Sequence, residues 1–241
     1  MPTPARHACA LAFALLLAAP AASSAADCDD AIVARVLRHA RAPAGGNVRA
    51  SSCEPLGGAQ GLVAVAVAFE PADYDWKSGP DLPVHVAWVD ARTHRVVAST
   101  RADVGEDGAT RVDGGSLEWQ PMPGLGRPAA ALVMRTFVLS GAMDGDMGPG
   151  WTLFVANGPH LNAVAGPTLL SFAACDVACR DADESHRQTK RLSFAPGRAT
   201  HAGLRDLDAT FTDTTTPEPT HITLTFDGKR YRPNVSGLVD R

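Results

Sequence analysis

From residue 61 onwards the apolar side chains recur at every second position, in one short run after another. "GLVAVAVAFE" sets Val63, Val65, Val67 and Phe69 on one face and Ala64, Ala66 and Ala68 on the other. A period of two is that of a β-strand, and apolar residues on both faces predict a strand covered on both sides, the alanines letting another layer approach closely. "LPVHVAWVDARTHRVVAST" predicts a hairpin in which Val84, Val86 and Trp88 share a face, Asp90 to Thr93 turn the chain, and Val96 to Thr100 return. The same reading makes strands of "SLEWQ", "AAALVMRTFVLSG", "WTLFVANG", "HLNAVAG", "TLLSFAAC", "TKRLSFAPG", "LRDLDATFTD", "HITLTFDG" and "KRYRP". Asn157-Gly158 and Asp227-Gly228 are tight-turn signals between them, and "TTTPEPT" is expected to be an exposed tip.

Before these runs the period is helical. Ile32, Val33, Val36, Leu37 and Ala40 share a stripe, acids Asp27, Asp29 and Asp30 lead, and Arg35, Arg38 and Arg41 follow, as the helix dipole favours. Pro43 and Gly45-Gly46 end the pattern. One helix followed by about ten strands, with no helices alternating among them, excludes a doubly wound α/β fold. The expected class is mainly β: an N-terminal amphipathic helix, then antiparallel strands in meanders and hairpins, closing as a sandwich or an open barrel. A boundary between a helix-plus-meander part at 27–103 and an all-β part at 116–241 is one option, and a single continuous domain over 27–241 the other.

The first 26 residues read as a secretory leader. A basic start at Arg6 and His7 precedes the apolar run Leu11 to Ala19, too short to cross a bilayer, and small residues lead up to a cleavage point before Asp27. Of five cysteines, Cys9 leaves with the leader, and Cys28, Cys53, Cys175 and Cys179 remain. An even count in an exported chain is read as disulfides, and short-loop closure favours Cys28 with Cys53 and Cys175 with Cys179. The formal net charge of −4 becomes one unit more negative without Arg6, and a phosphate-tracking protein needs the opposite balance.

Three stretches carry candidate chemistry. "FAACDVAC" resembles the copper-binding loop of the Sco family of copper chaperones, and the resemblance implies Cu(I) on Cys175 and Cys179, with His186, His201 or His221 as a further ligand. That family has a proline inside the motif and a helix after it, whereas "RDADESHRQTK" offers no apolar stripe. A disulfide closing a hairpin uses the same cysteines and is the reading adopted. "MDGDMGPGWTLFVANG" is similar to the calcium loop of FG-GAP and VCBS repeats, which implies a hard cation on Asp144 and Asp146. Ala142 stands where that loop has another acid, and two carboxylates fall short of the six or more oxygens calcium takes. In "EPADYDWKSGPDLP", Tyr74 and Trp76 fit no strand pattern and are candidates for recognition of a protein or sugar, or for a cap over one end of the core.

For catalysis the sequence offers little: no G-x-S-x-G elbow, no H-E-x-x-H, no phosphate-cradling loop. His85, His94 and His201 stand without a sequence partner that proposes a nucleophile, and Asp181, Asp183 and Glu184 read as solvated acids. "VAWVDARTHRVVA" is similar to the hairpins of PepSY-like modules, a resemblance that reaches the hairpin and no function. The expectation is an exported, periplasmic protein that binds a protein or glycan partner of the envelope without transforming it. It calls for no cofactor, no nucleic acid and no membrane insertion after leader removal. Copper or thiol-redox chemistry at Cys175 and Cys179 is the first alternative, and a calcium-stabilised module at 144–157 the second.

Overall fold

A computed structural model describes residues 28–56, 61–75, 77, 81–106, 110–112, 114–135, 137–138, 145–175, 187–236 and 238. Within these residues the protein is mainly β, with one short helix, α1 (Asp30–His39). Asp29 caps α1 by accepting from the Ala31 amide at 2.8 Å, and Arg41, at φ +55°, turns the chain out of it. Val33 and Val36 are its buried residues.

Eight strands form the larger sheet. In chain order they are β1 (Asn47–Pro55), β2 (Leu62–Glu70), β3 (Leu82–Asp90), β4 (Val96–Val104), then, beyond β5 (Thr110–Arg111), β6 (Leu117–Pro121), β7 (Ala129–Met134), β10 (Gly150–Asn157) and β11 (His160–Leu169), with β8 (Phe137–Val138) and β9 (Gly145–Met147) intervening. Their spatial order is β1-β2-β3-β4-β11-β10-β7-β6, so the sheet draws four strands from each side of residues 105–116. Neighbours are antiparallel except β4 and β11, which meet in parallel through one bridge, His160 to Ser99. The outer strands β1 and β6 come back together, and the Trp119 indole N–H on β6 donates to the Ser52 carbonyl on β1 at 3.2 Å. The sheet is a nearly closed barrel.

The alanine face of β2 points into that barrel. Register explains why: Ala64 lies directly across from Trp88, Ala66 from Val86 and Ala68 from Val84. Trp88 meets Trp119 edge to face with ring centroids 5.4 Å apart, and Leu82, Leu132, Phe154 and Leu161 fill the space around them. The close approach that the alanines allow is thus that of the barrel's own indoles. Val65 and Val67 face outwards under α1, in a cluster with Val33, Val36, Ala87, Val89 and Cys53.

The second sheet is half a barrel, in the order β16-β15-β14-β13-β12-β9, where β12 is Ser171–Cys175, β13 Arg187–His201, β14 Leu204–Asp213, β15 Thr216–Phe226 and β16 Tyr231–Arg232. It covers the outer face of β7, β10 and β11. Trp151 stacks on Phe194 at 4.1 Å, and Leu153, Val155 and Val164 meet Leu192, Leu207, Leu224 and Phe226. β5 and β8 make a separate two-stranded ladder.

The strand runs differ in detail from their sequence pattern. "AAALVMRTFVLSG" contributes to two ladders, β7 to the barrel and β8 to the small sheet. "TKRLSFAPG" does not stop at its Pro-Gly: β13 continues to His201 through an irregularity between Pro196 and Thr200. β12 and β13 do pair as the expected hairpin, with Cys175 opposite Arg187.

Candidate functional site

The expected pair Cys28 and Cys53 is joined, with Cα atoms 5.1 Å apart, tying the start of α1 to β1. Cys175 closes β12, while Cys179, His186, Asp144, Trp76, Asp181, Asp183 and Glu184 lie outside the described residues. Asp146 is on β9, paired with Ala173. Of the more distant histidines considered as a copper ligand, His201 is fourteen residues along β13 from the partner of Cys175, past the irregularity between Pro196 and Thr200. His221 is half-way along the same sheet, with its ring 3.2 Å from the Thr210 hydroxyl. The topology keeps both away from Cys175.

Tyr74 is half-buried against the barrel cluster, and its hydroxyl donates to Glu106 at 2.7 Å. The Glu106 side chain is fully buried; its other oxygen accepts from the Val112 amide at 2.7 Å and faces Arg49 at 3.7 Å. Arg49 in turn donates to Glu70 at 2.6 Å and to the Val112 carbonyl at 2.7 Å. The Tyr74 hydroxyl is therefore engaged by the chain's own carboxylate, and the ring packs against the barrel cluster. Burial, and then the bond to Glu106, push its ionisation well above that of a free tyrosine.

The three candidate histidines separate. His85 is buried in β3, and burial, helped by Arg101 across the ladder, lowers its pKa and so favours the neutral ring. His94 occupies the β3–β4 turn at φ +54°. His201 is different: its Nδ1 lies 2.7 Å from Asp206, whose side chain is 6% exposed while the imidazole is half open to solvent. A carboxylate only accepts, so the proton of this bond is carried on Nδ1. The geometry comes from a two-residue turn, Ala202-Gly203, both at positive φ, which sets His201 opposite Leu204. Gly197 makes room for Asp206, since a Cβ there would come within 3.1 Å of the aspartate's own Cβ.

Two residues beside this turn, Arg127 and Gly228, line a cleft of about 220 Å³ between the β10–β11 hairpin and the β15–β16 turn. Arg127 and Lys229 line it together with Asn157 and Asn162, over Val164 and Phe226. Asn162 is placed by β11, opposite Val155, and the other three polar groups by turns. Asn157 ends β10 where Gly158, at φ +60°, reverses the chain. Lys229 follows Asp227, whose carboxylate accepts from the Lys229 and Arg230 amides at 2.8 and 2.7 Å, bonds that hold its pKa below the usual range. Arg127 lies against the Ala202-Gly203 turn, where a Cβ on Gly203 would come within 3.0 Å of the guanidinium. The cleft and the His201–Asp206 pair thus share one structural support.

Sequence reading did not reach this cleft. Its residues come from three stretches far apart in the chain, and no local spacing joins Arg127 to Asn162 or Lys229. His201 and Asp206 carried a weak signal: five positions apart across an Ala-Gly turn, with Asp206 on the strand face of the buried Leu204. No family model, curated protein or solved structure matches the chain.

Proposed function

We propose that this protein is exported, works in the periplasm, and binds a component of the cell envelope without transforming it. The observation that carries the reading is the cleft beside the Ala202-Gly203 turn. The barrel interior is filled by Trp88, Trp119 and the residues around them, so a ligand is met on the outer wall, where two cations and two amides converge. The Cys28–Cys53 disulfide supports an oxidising compartment, and the leader-like first 26 residues support the route to it. The expected clamp between Cys175 and Cys179 extends this reading to the β12–β13 hairpin.

Native and denatured masses of the protein recovered from the periplasmic fraction, with thiol labelling, test it. Expected are a chain beginning near Asp27, oxidised Cys28 and Cys53, and a retained ligand mass that Arg127→Glu abolishes. Recovery only from the cytoplasm with the leader in place and free thiols would sink the export reading. A copper-sized mass retained on free Cys175 and Cys179 would replace binding by metal handling.

A further inference from the structure

We infer that the cleft at Arg127 takes an acidic sugar, a six-membered ring bearing one carboxylate; this rests on the binding reading above and names its ligand class. The size comes first. A cavity of about 150 Å³ holds a benzene ring. A cleft of about 220 Å³ accommodates one ring with a carboxylate and leaves little for a second.

Charge comes next. Arg127 and Lys229 both line the cleft, and among the described residues no acidic side chain does. Asp227, the nearest acid in sequence, is turned to its own loop, bonded to the Lys229 and Arg230 amides and to Arg232. The site is therefore matched to an anion, and a guanidinium matches a carboxylate with two parallel hydrogen bonds.

The rest of the lining decides what the carboxylate is attached to. Val155, Val164 and Phe226 are only 3%, 3% and 6% exposed, so they offer a narrow apolar floor and not a pocket for a hydrocarbon body. Asn157 and Asn162 are exposed and stand on adjacent strands, and Val155 of the floor is paired with Asn162. An amide presents both donors and an acceptor, the complement of a ring of hydroxyls that each donate and accept. A polar ring with C–H groups towards Phe226 and Val164 satisfies all three features, and a benzoate-like acid satisfies only the charge.

Chemical-shift titration of the cleft amides with sodium glucuronate, glucose and sodium acetate, at fixed ionic strength, tests the inference. Glucuronate is expected to bind at least tenfold more tightly than either glucose or acetate, with Asn157, Asn162 and Lys229 shifting together. Arg127→Gln and Lys229→Gln should each weaken glucuronate at least fivefold, and Tyr74→Phe, against the barrel cluster, should leave it unchanged. A spectrum preserved outside the cleft shows that each variant is folded. Equal binding of glucose would overturn the carboxylate, equal binding of acetate would overturn the sugar, and no shift with any of the three would overturn the assignment altogether. That last result leaves the broader binding reading to the retained native mass, which does not depend on which ligand is supplied.

Discussion

Tyr74 and Tyr231 are the chain's two tyrosines, and both hydroxyls donate within the protein, to Glu106 and to the Arg205 carbonyl. Burial first, then the hydrogen bond to Glu106 for Tyr74 and the charge of Asp206 for Tyr231, raise both pKa values. The folded chain thus keeps protons that the unfolded chain releases near pH 10, so this stabilisation is complete below about pH 10 and declines above it. Phenolate absorbance at 295 nm is expected to stay flat through pH 10 in the folded protein and to rise there in guanidinium. One tyrosine's worth of native signal at pH 10 would show a free hydroxyl. His85 works in the opposite direction. Its lowered pKa means that the unfolded state takes up the proton first, so stability falls as pH drops through about 6.5 towards the folded value. His85→Gln should flatten the fall in urea midpoint between about pH 7 and 5, and an unchanged slope would assign the acid limb to other groups. Neither environment was legible in sequence, because each depends on strands or loops that meet only in the fold.

At the scale of elements, α1 and the hairpins follow from local pattern, while the covalent tie between α1 and β1 was favoured by cysteine spacing and selected by the fold. Cys28 and Cys53 are 25 residues apart, and removing both as Cys28→Ser/Cys53→Ser should cost about 2–4 kcal/mol, read from urea denaturation. A loss within about 0.5 kcal/mol would mean that Val33 and Val36 hold the helix without the bridge. β15 shows a second device. It pairs with β14 along its length but with β16 only at Thr225 and Phe226, leaving an edge on which Thr216 to His221 are exposed. Pro217, Glu218 and Pro219 interrupt that edge with missing donors and a charge. The triple variant Pro217→Val/Glu218→Val/Pro219→Val is expected to aggregate faster by light scattering, and equal rates would show that the edge is protected elsewhere. The exposure of the threonine- and proline-rich stretch was readable, but Thr216 to Thr220 are edge strand and not a loop tip, since pairing order is a long-range property.

For the whole molecule, the decisive fact is a wall with two cores. β7 and β10 send Ala130, Leu132 and Phe154 into the barrel, and Ala129, Ala131, Trp151 and Leu153 towards the second sheet. Trp88→Ala should cost about 3–5 kcal/mol in thermal or urea unfolding, because Ala64 opposite it cannot expand to fill the space. Since the wall is shared, the loss should appear in one transition, with tryptophan fluorescence and far-ultraviolet dichroism coincident. Separate transitions would mean that the second sheet unfolds independently of the barrel.

Local pattern determined the class: strands, one helix and most turns; it favoured Cys28 with Cys53, and the fold selected that pairing. It could do so because a side chain's alternation, a Gly at positive φ and the entropy of closing a short loop are properties of neighbours in the chain. Tertiary structure alone decided that β11 joins β4, that the alanine face lies across from Trp88, and that Arg127, Asn157, Asn162 and Lys229 face one cleft. Those placements arise from burying two faces of one wall at once, a condition that no stretch of sequence can meet by itself.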